Sequence, residues 1–165
     1  MIVLGIDPGL EFTGWSVVSS LGIDSICLLD SGVISTREVC KENEKIYKIY
    51  NSLLSILNSY QVEEASIEKV FINSNPKSSI SLCYARAAST ISIMSRGVKI
   101  FEYSSTMIKK CITGNGMAPK NQVSFMVRNS LKIPQEIKII HHSSDAMAAA
   151  LCHIYNSRVA KIYNY

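Results

Sequence analysis

Met1-Ile-Val-Leu-Gly-Ile-Asp7, then Pro8-Gly9, then Thr13 to Ser19, is the stretch whose reading decides the fold. An apolar run with no alternating polar positions reads as a central strand buried on both faces. Pro8-Gly9 stops the chain just beyond it, which leaves Asp7 at the strand end, close to the domain core. A second strand-like run, Ala65-Ser-Ile-Glu68-Lys-Val-Phe-Ile72, is interrupted by Glu68. An isolated buried carboxylate is costly to keep ionised, and a partner cation or a metal ion is the usual remedy. The segment His142-Ser-Ser-Asp145 opens a late helix and adds two more ligating side chains. Four such residues on three separated elements point to a divalent-metal site, and so to catalysis.

Each of the four has an ordinary explanation when taken alone. Asp before Pro-Gly is a common turn residue. Glu68 fits the polar face of an edge strand. Asp145 complements the dipole at a helix start, and a single histidine is more often a satisfied polar residue than a ligand. Their order and spacing carry the case.

Outward from the first strand, Ile2–Ile6, Thr13–Ser19 and a run from about Ser25 to Ile34 read as an antiparallel meander. Helical periodicity follows in Ile46, Ile49, Tyr50, Leu53, Leu54 and Leu57. After the Glu68 strand, Ile80, Cys83, Ala87, Ile91 and Met94 form one stripe of a long helix that packs on the sheet or meets another helix. Its small neighbours Ala85, Ala87 and Ala88 suit a close helix approach. Val98–Phe101 is a short strand, and shorter helices run to the end. Meandering strands followed by helix–strand alternation make an α/β fold with a mixed sheet. The 165 residues are expected to form one domain over 1–157, with a tail at 158–165 past the last helix.

Composition narrows the class. No apolar stretch approaches the length of a membrane span, and no basic region precedes the N-terminal apolar run, so no signal peptide is expected. Cys27, Cys40, Cys83, Cys111 and Cys152 form no Cys-x-x-Cys pair, which argues against a disulfide scaffold or zinc site and fits a reducing cytoplasm. The net charge of +4 is unevenly spread. Residues 1–68 carry four Lys/Arg against ten Asp/Glu, whereas residues 69–138 carry eleven against two. A basic middle section suits a phosphate backbone or, equally, a solvated surface.

Lys120 has its own physical argument. Gly114-Asn-Gly116 is a flexible turn, Pro119 fits the first position of the next helix, and Val123, Met126, Val127 and Leu131 are that helix's apolar stripe. A lysine in a first turn opposes the helix dipole, and a phosphate bound at the helix N-terminus turns it favourable.

Taken in order, these blocks resemble the RuvC family of Holliday-junction resolvases. The resemblance rests on Gly5-Ile-Asp-Pro-Gly9 with Thr13-Gly14, Ile67-Glu-Lys-Val-Phe71, Tyr84-Ala-Arg86, Glu102-Tyr103, Ala118-Pro-Lys-Asn-Gln-Val123 and His142-Ser-Ser-Asp-Ala146. It spans roughly Ile2 to Asn156. It implies an RNase H-like fold, a mixed five-stranded sheet flanked by helices, in which strand ends bring Asp7 and Glu68 together under Asp145. It further implies symmetric paired nicking of four-way DNA junctions in recombination and repair, leaving 5′-phosphate ends. The chemistry is hydrolysis with two Mg²⁺ ions per active site, ~3.5–4 Å apart, one activating water and the other stabilising the leaving oxygen. Mn²⁺ is a substitute, which an imidazole at His142 favours. The family's fourth ligand position holds Asp or His; the adjacent His141 stays open as the alternative, and the His-x-x-Asp spacing favours His142. Lys109 and Lys120 match positions that contact DNA near the scissile phosphate, which makes Lys120 catalytic by resemblance. Phe71 matches an aromatic at the junction centre, where base stacking is worth ~1–3 kcal/mol. Asn75 and Lys77 are backbone contacts, and the partners implied are a second copy of the chain and a branch-migration motor.

Other readings stand beside it. A related RNase H-like family that matures ribosomal RNA precursors shares the Ile-Asp-Pro-Gly opening. A sugar-kinase or actin-like phosphate loop also follows a strand with Asp-x-Gly and a Thr, although those proteins need two lobes. A non-catalytic junction-binding protein is the remaining class.

Overall fold

The computed structural model describes residues 1–22, 25–69 and 76–162, with the backbone alone at 76–77 and 158–162. Five strands, β1 (Ile2–Asp7), β2 (Phe12–Ser20), β3 (Ile26–Ser35), β4 (Glu64–Glu68) and β5 (Lys99–Tyr103), form one sheet in the order β3-β2-β1-β4-β5. β1 pairs antiparallel with β2 and parallel with β4, so the N-terminal run is the middle strand of a mixed sheet. The helices are α1 (Glu42–Ser59), α2 (Pro76–Met94), α3 (Ser105–Thr113), α4 (Lys120–Ser130) and α5 (His141–Ile162).

Two apolar clusters, one on each face of the sheet, follow from strand periodicity. Leu4, Ile6, Val17, Ala65 and Ile67 meet the helices α1 and α2, while Val3 and Val18 meet α3, α4 and α5. Val3, Leu4 and Ile6 are fully buried, and each such side chain contributes about 1.5–3 kcal/mol relative to exposure. α1 buries the Ile49, Leu53 and Leu57 stripe, and Glu42 and Glu44 in its first turn complement the dipole. Ser104 caps α3 by accepting from the Met107 amide, and Gly114 ends that helix in the left-handed region at φ 78°.

Three expectations are corrected. Of the two readings of the Ile80, Cys83, Ala87, Ile91 and Met94 stripe of α2, packing on the sheet is excluded, because all five residues are exposed, and contact with another helix is left. Ala85, Ala88, Ser89, Ser92 and Ile93 face inward instead, and the Ser92 hydroxyl donates to the Tyr50 carbonyl of α1 at 3.2 Å. Small residues let α2 lie close to α1, so the large ones are left outside. The last helix is not short: α5 has 22 residues and runs through Ile162, five residues past the expected domain end at 157. Its centre, Ala146 to Ile154, is buried on every side, so no amphipathic stripe marks its length. Glu68 does not interrupt its strand; it is the last residue of β4, as Asp7 is of β1.

Candidate active site

Alternation along the strands aims the acidic residues at one helix. Val3, Gly5 and Asp7 share the face of β1 that meets α5. On β4, Ser66 faces α5, because its hydroxyl donates to the Ala149 carbonyl at 2.8 Å; Glu68, two residues on, points the same way. β1 and β4 are parallel neighbours with Ile6 beside Ile67, so both carboxylates emerge at the same end of the sheet.

Glycines let α5 come down onto this end. A Cβ on Gly5 would lie 2.1 Å from the Ala146 carbonyl oxygen, and one on Gly14 would lie 2.0 Å from that of His142. The resulting contact sets the first turn of α5 over Asp7. His142 Nδ1 and Asp7 Oδ2 are 2.9 Å apart, with the ring N–H donating when Asp7 is ionised. Asp145, one turn on, faces Lys120, whose Nζ donates to Oδ2 at 3.3 Å. The hydroxyls of Ser124 and Ser144, 3.0 Å apart, join α4 to α5 beside this pair. Pro119 is the N-cap of α4 rather than its first residue, and it has no side chain to satisfy the helix amides. Lys120 therefore opens the helix against the dipole, with no acidic residue in that turn.

Asp7, Glu68, His142, Asp145, Lys109 and Lys120 all line one cavity of about 440 Å³. Burial raises the Asp7 pKa above its ordinary value, against the His142 hydrogen bond that lowers it, and Asp145 raises it further. Burial likewise raises Glu68, and the Asp7 charge adds to it, while a hydrogen bond with Ser105 opposes both. Among the described residues no three His, Cys, Asp or Glu side chains form a ready-made cage; Asp7 is turned to His142 and Asp145 to Lys120. The donor set nonetheless fits a hard divalent cation: three carboxylates and an imidazole share one hollow, and the repulsion among the carboxylates is what such a cation relieves.

The same shifts give a stability test. With folded-state pKa values raised above the unfolded-chain values of 3.8 and 4.5, the fold favours the neutral carboxyl forms. That contribution is present below those values and is lost as pH rises through the folded-state pKa values. Asp7→Asn is uncharged throughout, so in EDTA at pH 7 it is expected to unfold at a higher temperature than wild type, while gaining less from added Mg²⁺. Equal midpoints in EDTA would mean that Asp7 carries no such cost.

Of the DNA-contact residues read from sequence, Lys109 and Lys120 meet at the cavity. Phe71 and Asn75 lie outside the described residues, as does the side chain of Lys77. His141 is exposed and is not among the cavity residues, whereas His142 is. Sequence reasoning missed Ser105, the hydrogen-bond partner of Glu68, and Lys69, which also lines the cavity. The signal for Lys69 was its place next to Glu68; nothing in the sequence marks Ser105.

A mixed sheet with carboxylates at the ends of adjacent parallel strands, covered by a helix bearing two more ligating groups, defines an RNase H-like nuclease. Residues 3–153 match the family model described as crossover junction endodeoxyribonuclease RuvC, and the chain belongs to that family. It is 74% identical over 158 residues to the protein of that name from Anaplasma marginale (strain St. Maries), covering 96% of each chain. Identity is 51% to the one from Anaplasma phagocytophilum, over 95% of this chain and 96% of that one. Among solved structures, Thermus thermophilus RuvC in complex with a Holliday junction substrate superposes with a TM-score of 0.89 at 28% identity, covering 97% of this chain and 96% of that one. The yeast mitochondrial Holliday junction resolvase Ydc2 shares the fold at a TM-score of 0.67 and 10% identity, over 98% and 80% of the two chains. The chain is accordingly a hydrolytic endonuclease that resolves Holliday junctions and depends on a divalent metal. No helix among the described residues is long and apolar enough to cross a membrane.

Proposed function

We propose that Asp7, Glu68, His142 and Asp145 together hold two Mg²⁺ ions, with Mn²⁺ able to substitute, and that Lys120 assists at the scissile phosphate. The single observation that carries this reading is the convergence of all five residues on one cavity. When bound, the metal pair supplies a water of lowered pKa and neutralises charge on the leaving 3′-oxygen. Asp7 on the middle strand, Glu68 on its parallel neighbour and the α5 pair would hold the ions between them. Lys120, exposed over most of its side chain, brings an ammonium group to the phosphate, and it releases Asp145 as it does so. Lys109 adds a second cation on the α3 side of the cavity.

The exposed α2 stripe supports a homodimer. Ile80, Tyr84, Ile91 and Met94 are 50, 37, 59 and 64% exposed, an apolar patch that a second copy would cover. Two-fold symmetry then presents two cavities to two symmetric strands of a four-way junction. Ile91→Asp is expected to halve the mass measured by light scattering at micromolar concentration and to replace paired nicks with single, uncoupled ones. A variant that stays dimeric would remove α2 from the interface. A branch-migration motor as a partner and a cytoplasmic location complete the proposal. The product test is direct: resolved junctions should carry 5′-phosphate and 3′-hydroxyl ends that DNA ligase seals without further processing, and unsealable ends would refute the reaction as written.

A further inference from the structure

Phe12 is not among the cavity residues, yet its ring lies against His142. The centroids are 5.6 Å apart and the planes are inclined by 22°, an offset stack. The tight return after Asp7 makes this contact. Gly9 leaves room for the Phe12 carbonyl oxygen, which would lie 2.3 Å from a Cβ at position 9, and the Thr13 hydroxyl donates to the Gly9 carbonyl at 2.8 Å. Phe12 and Gly14 share one face of β2, so the strand meets the backbone of His142 at Gly14 and its ring at Phe12. On the outside, the Arg37 guanidinium carbon lies 5.7 Å from the Phe12 ring centroid. Thr36 anchors that end: its amide donates to the Glu11 carbonyl at 3.0 Å and its hydroxyl to that of Leu10.

We propose that Phe12 is a positioning residue for His142, with Arg37 covering the outer part of the stack. The inference rests on the reading of His142 as a metal ligand. The His142 side chain is 42% exposed, so its own burial does not fix the ring. The Phe12 contact holds the plane, and Nδ1, 2.9 Å from Asp7 Oδ2, is the ring nitrogen set to share a cation with that carboxylate. Partners of this kind tune ligand orientation, and their loss commonly weakens metal binding 10–100-fold.

The test is Mn²⁺ binding by calorimetry to the full-length protein without DNA, for wild type, Phe12→Leu, Phe12→Tyr, Asp7→Asn, His142→Ala and the Phe12→Leu/His142→Ala pair. Phe12→Leu, which keeps an apolar side chain at this half-buried site, is expected to weaken binding about tenfold, and Phe12→Tyr to stay within about twofold of wild type. In the His142→Ala background Phe12→Leu should add nothing, because its effect passes through that ring. An unchanged affinity in Phe12→Leu, or an equal loss with and without His142, would overturn the inference and leave Phe12 as packing. If Asp7→Asn binds Mn²⁺ as wild type does, the metal reading itself fails and this inference falls with it.

Discussion

Asp7→Asn is expected to abolish junction cleavage while junction binding persists. Asp7 is the last residue of β1, lines the cavity, contacts His142 and is the central ligand in the proposed reading. Metal-ion catalysis contributes several kcal/mol of charge stabilisation, and at 1.36 kcal/mol per tenfold in rate its loss slows cutting by at least ~10³-fold. Binding is expected to rest on different residues, the cations of the basic middle section, because affinity for a phosphate backbone comes mainly from Lys and Arg. Gel-shift affinity in Ca²⁺ or EDTA and single-turnover cleavage in Mg²⁺ separate the two. Binding lost in parallel with cleavage would make Asp7 a structural residue.

Lys120→Ala should show the same split in a milder form. Lys120 is the first residue of α4 and pairs with Asp145 across the cavity mouth. A cation placed where charge develops in the transition state is worth on the order of 10²–10³-fold in rate. As a ground-state phosphate contact it is one of several, so affinity should fall only a few-fold and the salt dependence by about one unit of slope. Lys120→Arg restores charge with a different shape and should recover binding more fully than cleavage. Equal losses in rate and affinity would reduce Lys120 to an ordinary backbone contact.

Much of the fold was legible because β1 is an extreme case. A strand buried on both faces has to be apolar throughout, so the one acidic residue at its end stands out. The same logic found Glu68, although the strand boundary was misjudged, since Val70 to Ile72 continue the apolar pattern beyond it. His142 and Asp145 were legible as a pair through their helical spacing. What escaped detection depends on contacts between elements. The inward face of α2 is set by how closely Ala85 and Ala88 approach α1, and spacing alone marks a stripe without saying which way it faces. α5 was underestimated because a helix enclosed on all sides carries no stripe. Phe12 and Ser105 act on site residues distant in sequence, so their roles exist only once the chain is folded.

The measurement that bears most directly on the central claim is cleavage of a synthetic four-way junction beside a matched linear duplex, with Mg²⁺, Mn²⁺ or EDTA. The expected result is symmetric paired nicks in the junction with either metal, none in EDTA, and an intact duplex throughout. Cutting that persists in EDTA, or that falls on the duplex as readily as on the junction, would contradict the account.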